Sequence, residues 1–195
     1  MPTLQAEPTV FPNDLFESNA SSLTVAQRSW WVLQTKPKQE KAVAREHLGR
    51  SLPFFLPTTR RSRMGRRGEV SSYIPLFTGY VFGFLAESER FELNRTGRLA
   101  SFLPVADQTR FWEELSNLYR LLSLDLEVHP VLQIKEGSLV TIRRGRMKGI
   151  EGVVERCSGR CRFIVRIDFL QKGASVEIDE GDLELVSDES VGTAC

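Results

Sequence analysis

Residues 30–48 read WWVLQTKPKQEKAVAREHL, and this stretch decides how the first half of the chain folds. It opens on four apolar residues, which are typical of a buried strand. The polar turn around Pro37 then leads into a segment of helix-forming residues, and Gly49 is placed to end the helix as its C-cap. We therefore predict a strand, a turn and a helix in direct succession.

The predicted helix has two different faces. At about 100° per residue, one narrow stripe is cationic and holds Lys38, Lys41 and Arg45. An apolar face points elsewhere, toward the core, and holds Val43, Ala44 and Leu48. His47 lies between Val43 and Ala44 in angle, away from the lysine stripe, so packing in the structure is favoured over contact with DNA. Arg50, beyond the helix end, is the better candidate for contact with nucleic acid.

Strands and helices continue to alternate as far as Leu124. The run Phe54–Leu56 is short and apolar, and IPLFTGYVFGFL, residues 74–85, has the aromatic and branched side chains that strands favour. A short helix over 88–93, a strand over 98–103 and an amphipathic helix over 107–124 complete the pattern. Such alternation predicts an α/β layer domain.

An arginine-rich segment lies between these two apolar runs and is predicted to form a hairpin. Its arginines surround Gly65 with no acidic residue among them: Arg60, Arg61, Arg63, Arg66 and Arg67. A solvated hairpin is the plain alternative, but clustered guanidinium groups pair naturally with phosphates. We therefore predict that this hairpin binds nucleic acid.

The positive charge of the chain is concentrated around these elements. Ten basic and two acidic residues lie between Trp30 and Gly68, a net charge of +8, whereas the whole chain has a formal net charge of +1. A local excess of this kind indicates a polyanion-binding surface. Lys36 belongs to the same segment and joins the predicted nucleic-acid contacts.

The second half of the chain has a different pattern. Residues 125–135 lose their periodicity around His129-Pro130 and are predicted to be a linker. Five short strand candidates then follow between Leu139 and Val186, and short strands separated by glycine turns predict a small β-barrel. The expected organisation is a disordered tail over 1–28, an α/β domain over 29–124, the linker over 125–135, a β-barrel over 136–186 and a short tail over 187–195.

Composition narrows the class of protein. No apolar run approaches the roughly 18 residues of a membrane span, and residues 1–29 lack the apolar stretch of a secretory signal. Three cysteines, an odd number, favour a reducing cytoplasm over a disulfide framework. Cys157 and Cys161 have no histidine nearby in sequence to complete a zinc site. We expect a soluble cytoplasmic monomer with no metal, no cofactor and no catalytic motif.

The C-terminal segment EGSLVTIRRGRMKGIEGVVERC, residues 136–157, resembles a KOW motif, the strand, glycine-loop, strand element of NusG-like factors and some ribosomal proteins. Gly145 and Gly149 suit a tight loop, and Gly152 lets a strand bend. Residues 30–48 and PLFTGYVF, residues 75–82, resemble the opening strand, helix and central strand of the NusG N-terminal domain.

The likeness covers about residues 29–186 and is closer to specialised, RfaH-like paralogues than to housekeeping NusG. The string FFLPTTRRSR, residues 54–63, and the helix end Glu46-His47-Leu48 carry that closer likeness. One departure from the family is Thr78, which stands where proline is usual.

The resemblance implies an α/β (α+β) NusG-type N-terminal domain followed by a small SH3-like five-stranded β-barrel, the KOW domain. It implies a bacterial transcription elongation or antitermination factor that is cytoplasmic, associates with the nucleoid during transcription and is not an enzyme. In the family, the positions of Tyr80, Phe82 and Phe77 dock on the clamp helices of the largest subunit of RNA polymerase. The basic helix and hairpin would contact DNA of the transcription bubble. Phe169 and Leu170 would recruit ribosomal protein S10 or Rho.

Two alternatives stay open. Tyr80 and Phe82 lie two residues apart on one strand and share a face, as ordinary core aromatics also do. For the chain as a whole, the rival function is that of an RNA-binding, ribosome-associated KOW protein. Against that rival, residues 137–195 carry a net charge of −1 rather than a strong positive charge.

Overall fold

The computed structural model describes residues 8–17, 28–65, 68–124, 126, 128–131, 137–157, 160–178 and 182–185. The chain divides into two compact units, Met1–Tyr119 and Arg120–Cys195. The predicted boundary at Leu124 lies a few residues beyond this division, which falls inside a helix.

The described part of the chain up to Ser123 combines strands with helices. In order, its elements are β1 (Val10–Phe11), β2 (Ser29–Thr35), α1 (Glu40–Gly49), β3 (Phe54–Phe55), β4 (Thr58–Gly65), β5 (Gly68–Pro75), β6 (Tyr80–Leu85), α2 (Glu87–Asn94), β7 (Leu99–Pro104) and α3 (Gln108–Ser123). Five of the strands form one sheet in the order β1-β3-β6-β2-β7, and each neighbouring pair is antiparallel. β4 and β5 form a two-stranded sheet of their own. The predicted alternation of strands and helices is confirmed.

The five-stranded sheet is covered on both faces. Successive residues of a strand point to opposite sides, and on β2 this places Leu33 in a cluster with Val43 and Ala44 of α1. On the other side, Trp30 packs against Phe84 of β6 and Phe111 of α3. Burying each such large side chain contributes roughly 1.5 to 3 kcal/mol. The sheet is therefore the middle layer of a mixed α/β unit.

Helix α1 differs in two details from its prediction. Its buried stripe is Glu40, Val43, Ala44 and His47. Leu48, predicted to be core, is 39% exposed because this i, i+3, i+4, i+7 stripe turns it toward solvent. Gly49 is the last helical residue rather than the cap, and the left-handed conformation occurs two residues later, at Ser51 with φ 54°.

Residues 8–17, the N-terminal segment, are ordered, which corrects the expectation of a disordered tail over this stretch. Val10 and Phe11 form β1 beside β3, and the Leu56 amide donates a hydrogen bond to the Thr9 carbonyl at 2.6 Å. Phe16 is buried, and its ring lies 5.0 Å from that of Tyr119, centroid to centroid. A segment this short shows no periodicity, so its sequence favoured a frayed terminus over docking of its apolar residues.

The second unit is built on one antiparallel sheet. Its strands are β8 (His129–Val131), β9 (Ser138–Ile142), β10 (Glu151–Cys157), β11 (Arg160–Ile167), β12 (Lys172–Ile178) and β13 (Leu183–Leu185). They pair in the order β13-β9-β10-β11-β12-β8, and a 3-10 turn, Asp168–Leu170, follows β11. All five predicted strands are present within a few residues of their expected bounds.

Two features of this sheet bear on the prediction. β8 adds a sixth strand within the expected linker. Pro130 has no amide donor, but β8 is an edge strand, where proline is tolerated. Within the described ranges no pairing joins β13 to β8, so the structure does not show a closed five-stranded barrel, which stays a prediction. The glycine loop does form as predicted, with Gly145 at φ 75° and Gly149 at φ 76°.

Helix length and polarity also bear on the membrane prediction. Over the residues that the structure describes, no helix is long and apolar enough to cross a membrane.

Candidate functional site

The arginine hairpin, Thr58–Pro75, is the most basic feature of the first unit. β4 and β5 pair from Thr58↔Pro75 to Gly65↔Gly68, and the Leu76 amide donates to the Pro57 carbonyl at 2.8 Å to close its base. Arg60 and Arg61 are exposed on β4. Arg66, Arg67 and the side chain of Arg63 lie outside the described part of the structure. The hairpin is therefore an arm with cations on its accessible surface.

The cations around α1 lie on the same unit. Lys36 and Lys38 are exposed in the turn before the helix, Arg45 is exposed on the helix, and Lys41 is half-buried. The Lys36 amide donates to the Arg98 carbonyl at 2.9 Å, which fixes this turn against the residue that precedes β7. The predicted basic stripe is present, except that Lys38 precedes the helix and has φ 60°.

A basic pocket opens at the C-terminal half of α1. Its volume is about 360 Å³, and it is lined by Ala42, Arg45, Glu46, Gly49, Arg50 and Arg98. Arg50 shares its charge with two carboxylates, through Nε to Glu46 Oε1 at 2.7 Å and Nη1 to Glu92 Oε2 at 3.7 Å. Three guanidinium groups around one opening can accept an anionic group such as a phosphate.

A buried carboxylate holds the turn that precedes β6. The Tyr80 amide donates to the Phe77 carbonyl at 3.2 Å, and Gly79 at φ 86° takes the third position of a type II turn. The second position of such a turn often carries proline, and here it is the exposed Thr78. Glu40, 4% exposed, accepts the Gly79 amide on Oε1 at 2.7 Å. The role of Glu40 could not be predicted from the sequence because its partner lies 39 positions away.

The aromatic residues in and after this turn are mostly core residues. Phe77 is 1% exposed and Phe82 0% exposed, and Phe82 packs against Phe77, Phe55 and Phe111. This burial contradicts the prediction of an exposed docking patch that includes Phe77 and Phe82, since Phe82 packs against Phe111 of α3 and Phe77 packs against Phe82. Tyr80 is half-buried at the start of the strand, and its contact with polymerase stays a prediction.

His47 lies inside the core, as the sequence predicted. It is 0% exposed, its Nδ1 lies 2.9 Å from the Val43 carbonyl oxygen, and its ring centroid lies 5.6 Å from that of Phe54. Burial lowers the pKa of the imidazole from 6.5 to about 4. The ring is therefore neutral at pH 7, and Nδ1 is the donor to Val43.

In the second unit, Phe169 is 41% exposed in the 3-10 turn and Leu170 is half-buried beside it. Gln171 closes this turn with φ 51°. Among the described residues, no group of three or more His, Cys, Asp and Glu side chains is placed to hold a metal ion.

Comparison with known proteins finds a similarity within the first unit. Residues 28–115 match the family model of NusG, described as transcription termination factor nusG. This match spans less than half of the 195 residues. No curated protein matches the chain. A solved structure described as domain interaction in Thermotoga maritima NusG aligns with 82% of this chain and 98% of its own, at 18% identity and a TM-score of 0.44. Residues 28–115 are thus similar to the NusG family of transcription factors.

Proposed function

We propose that this chain is a bacterial NusG-like transcription factor that binds RNA polymerase and is not an enzyme. The single observation that supports it most is the NusG family match over residues 28–115, the stretch that also carries the arginine hairpin. A factor of this kind acts by shifting the conformational populations of its partner.

Docking on the polymerase clamp helices is proposed to use the turn Phe77–Tyr80 rather than the whole aromatic strand. Thr78 is exposed and Tyr80 is half-buried there, whereas Phe77 and Phe82 are buried. A tyrosine suits the edge of an interface because its ring is apolar and its hydroxyl is polar. Glu40 keeps this turn in shape by accepting the Gly79 amide.

Nucleic-acid contact is proposed for the arginine hairpin, for Lys36, Lys38, Lys41 and Arg45, and for the basic pocket with Arg50. DNA of the transcription bubble is the proposed target. Arg98 joins this set because it lines the same pocket as Arg45 and Arg50. The positive charge of these elements would steer the factor toward a polyanion and make its binding sensitive to salt.

The second unit is proposed to be a KOW domain that recruits ribosomal protein S10 or Rho. Its support is the strand, glycine-loop, strand arrangement of β9 and β10 and the exposed Phe169. An RfaH-like antitermination role in the bacterial cytoplasm belongs to the same proposal. An RNA-binding protein of the ribosome remains the rival function.

Reconstitution tests this proposal. The full chain is mixed with purified bacterial RNA polymerase and, separately, with ribosomes, and each mixture is sedimented. The proposal expects co-sedimentation with polymerase that Tyr80→Ala weakens at least tenfold, since an aromatic anchor of an interface contributes on the order of 2 kcal/mol. Phe169→Ala is the matched control, because it removes an exposed aromatic from the other unit and should leave polymerase binding unchanged. Binding to ribosomes alone would establish the rival function.

A further inference from the structure

The docking turn, Phe77–Tyr80, is held by hydrogen bonds from another part of the chain. Both backbone groups of Gly79 are engaged: its amide donates to Glu40 Oε1 at 2.7 Å, and its carbonyl accepts the Thr35 amide at 2.8 Å. Within the turn, the Tyr80 amide donates to the Phe77 carbonyl at 3.2 Å. Two of these three bonds therefore come from the end of β2 and the first turn of α1, not from the docking turn itself.

The local sequence leaves the shape of this turn open. A type II turn needs a φ of about −60° at its second position and a positive φ at its third. Gly79 supplies the positive φ, 86°, which glycine adopts without steric cost. At the second position a proline ring would fix φ, whereas Thr78 lets it vary. The distant contacts to Gly79 must therefore select the observed conformation.

Glu40 is placed to make that selection. It belongs to the buried stripe of α1, together with Val43, Ala44 and His47, so its backbone is fixed against the sheet. A carboxylate that accepts a backbone amide makes a charge-assisted bond, which is roughly twice as strong as a bond between neutral groups. Loss of this side chain would leave the Gly79 amide without its acceptor.

We propose that Glu40 is a positioning residue for docking on polymerase, and that its carboxylate fixes the turn in place of a proline at position 78. Tyr80 follows Gly79 directly, so a turn that changes shape at Gly79 also moves the backbone of Tyr80. A turn that has to be ordered during binding lowers the affinity, whereas a turn that is already ordered does not. Glu40 acts through Gly79 and does not itself meet the partner.

Titrations of the full chain with purified bacterial RNA polymerase test this role. Glu40→Ala should weaken binding roughly tenfold, the effect of losing one charge-assisted hydrogen bond that orders the site. Glu40→Gln should retain binding because its amide oxygen still accepts the Gly79 amide. Gly79→Ala should weaken binding as Glu40→Ala does, since a Cβ there meets no atom within 4 Å and only the positive φ opposes it. Glu87→Ala is the matched control, because Glu87 is a first-turn glutamate of α2 with an exposed side chain.

A rescue experiment separates positioning from a general contribution to stability. Thr78→Pro added to Glu40→Ala should restore binding to within about twofold of the unmodified chain, because the proline ring fixes the turn locally. A glutamate that only stabilised α1 could not be replaced from position 78. Glu40→Ala added to Tyr80→Ala should cause no further loss, since both changes act on the same contact.

Three results would overturn the proposal: full affinity in Gly79→Ala or in a folded Glu40→Ala chain, no rescue by Thr78→Pro, and a further loss when Glu40→Ala joins Tyr80→Ala. Urea denaturation of the same preparations shows which variants are folded, and Gly79→Ala decides the outcome if Glu40→Ala is not. The role of Glu40 rests on the proposed function, which the unmodified chain and Tyr80→Ala test separately. If those two behave as expected and any of the three results appears, only the role of Glu40 is lost.

Discussion

The aromatic strand β6 and the arginine hairpin were both predicted to be binding surfaces, and they differ sharply in the structure. Phe82 of β6 is 0% exposed beneath α3, whereas Tyr73 of the hairpin is 52% exposed. Alternation along a strand shows which residues share a face, but it does not show which face another element covers. The hairpin stays accessible because it forms a sheet of its own, while β6 is central in a covered sheet.

The largest expected effect tests the buried side of this comparison. Phe82→Ala removes a ring that packs against three other aromatic rings, so it should lower the free energy of unfolding by about 3 to 5 kcal/mol. Urea denaturation measures this, with Tyr80→Ala as the partly exposed control on the same strand. If Phe82→Ala keeps full stability but no longer binds polymerase, Phe82 belongs to the interface and not to the core.

The buried His47 makes the stability of the chain depend on pH, which gives a second test of the buried side of this comparison. Its pKa is lowered from 6.5 to about 4, so the unfolded chain takes up a proton first as the solution is acidified. Stability should therefore fall as the pH drops from about 6.5 to about 4, by up to about 3 kcal/mol, and this contribution should be constant above that window. Comparison of the unfolding free energy of the full chain with that of His47→Leu isolates this contribution. Identical pH profiles for the two chains would mean that His47 is hydrated in solution.

The next largest loss of stability is expected at Phe16, because its ring packs the N-terminal segment against the same aromatic cluster. Phe16→Ala removes ring contacts with Trp30, Phe55 and Tyr119 and should cost about 2 kcal/mol, less than a central core ring because it lies near the surface. Thermal unfolding measures the loss, and Phe11→Ala tests whether β1 contributes independently. Unchanged melting temperatures in both variants would mean that residues 8–17 belong to a mobile tail, as predicted from the sequence.

Arg61 gives the smallest effect on stability. Arg61→Ala removes an exposed cation from the hairpin, so the free energy of unfolding should change by less than about 0.5 kcal/mol. The same substitution should still weaken nucleic-acid binding. A large loss of stability would show that the hairpin is part of the fold rather than an accessible arm.

Much of the fold follows from the local pattern of the sequence. The helix over residues 40–49, the hairpin and the strands of the second unit were predicted because periodicity and glycine turns are local signals. The features missed depend on distant partners. β1 needs the edge of β3, β8 needs the edge of β12, and Glu40 needs the Gly79 amide.

The candidate site was predicted less completely than the fold. The cations of the hairpin and α1 stand out in the sequence because charge clusters are visible without a structure. Arg98 was missed because it reaches the basic pocket only after β7 is placed beside β2.

The central claim is that the first unit binds RNA polymerase while its hairpin contacts nucleic acid, through separate surfaces. One measurement tests it most directly: native gel analysis of purified bacterial elongation complexes with the full chain, with Tyr80→Ala, and with Arg60→Ala combined with Arg61→Ala. The account predicts a shifted complex with the full chain, its loss with Tyr80→Ala, and its persistence with the arginine variant together with weaker crosslinking to DNA. No shift with the full chain, or loss of the shift in the arginine variant alone, would contradict it.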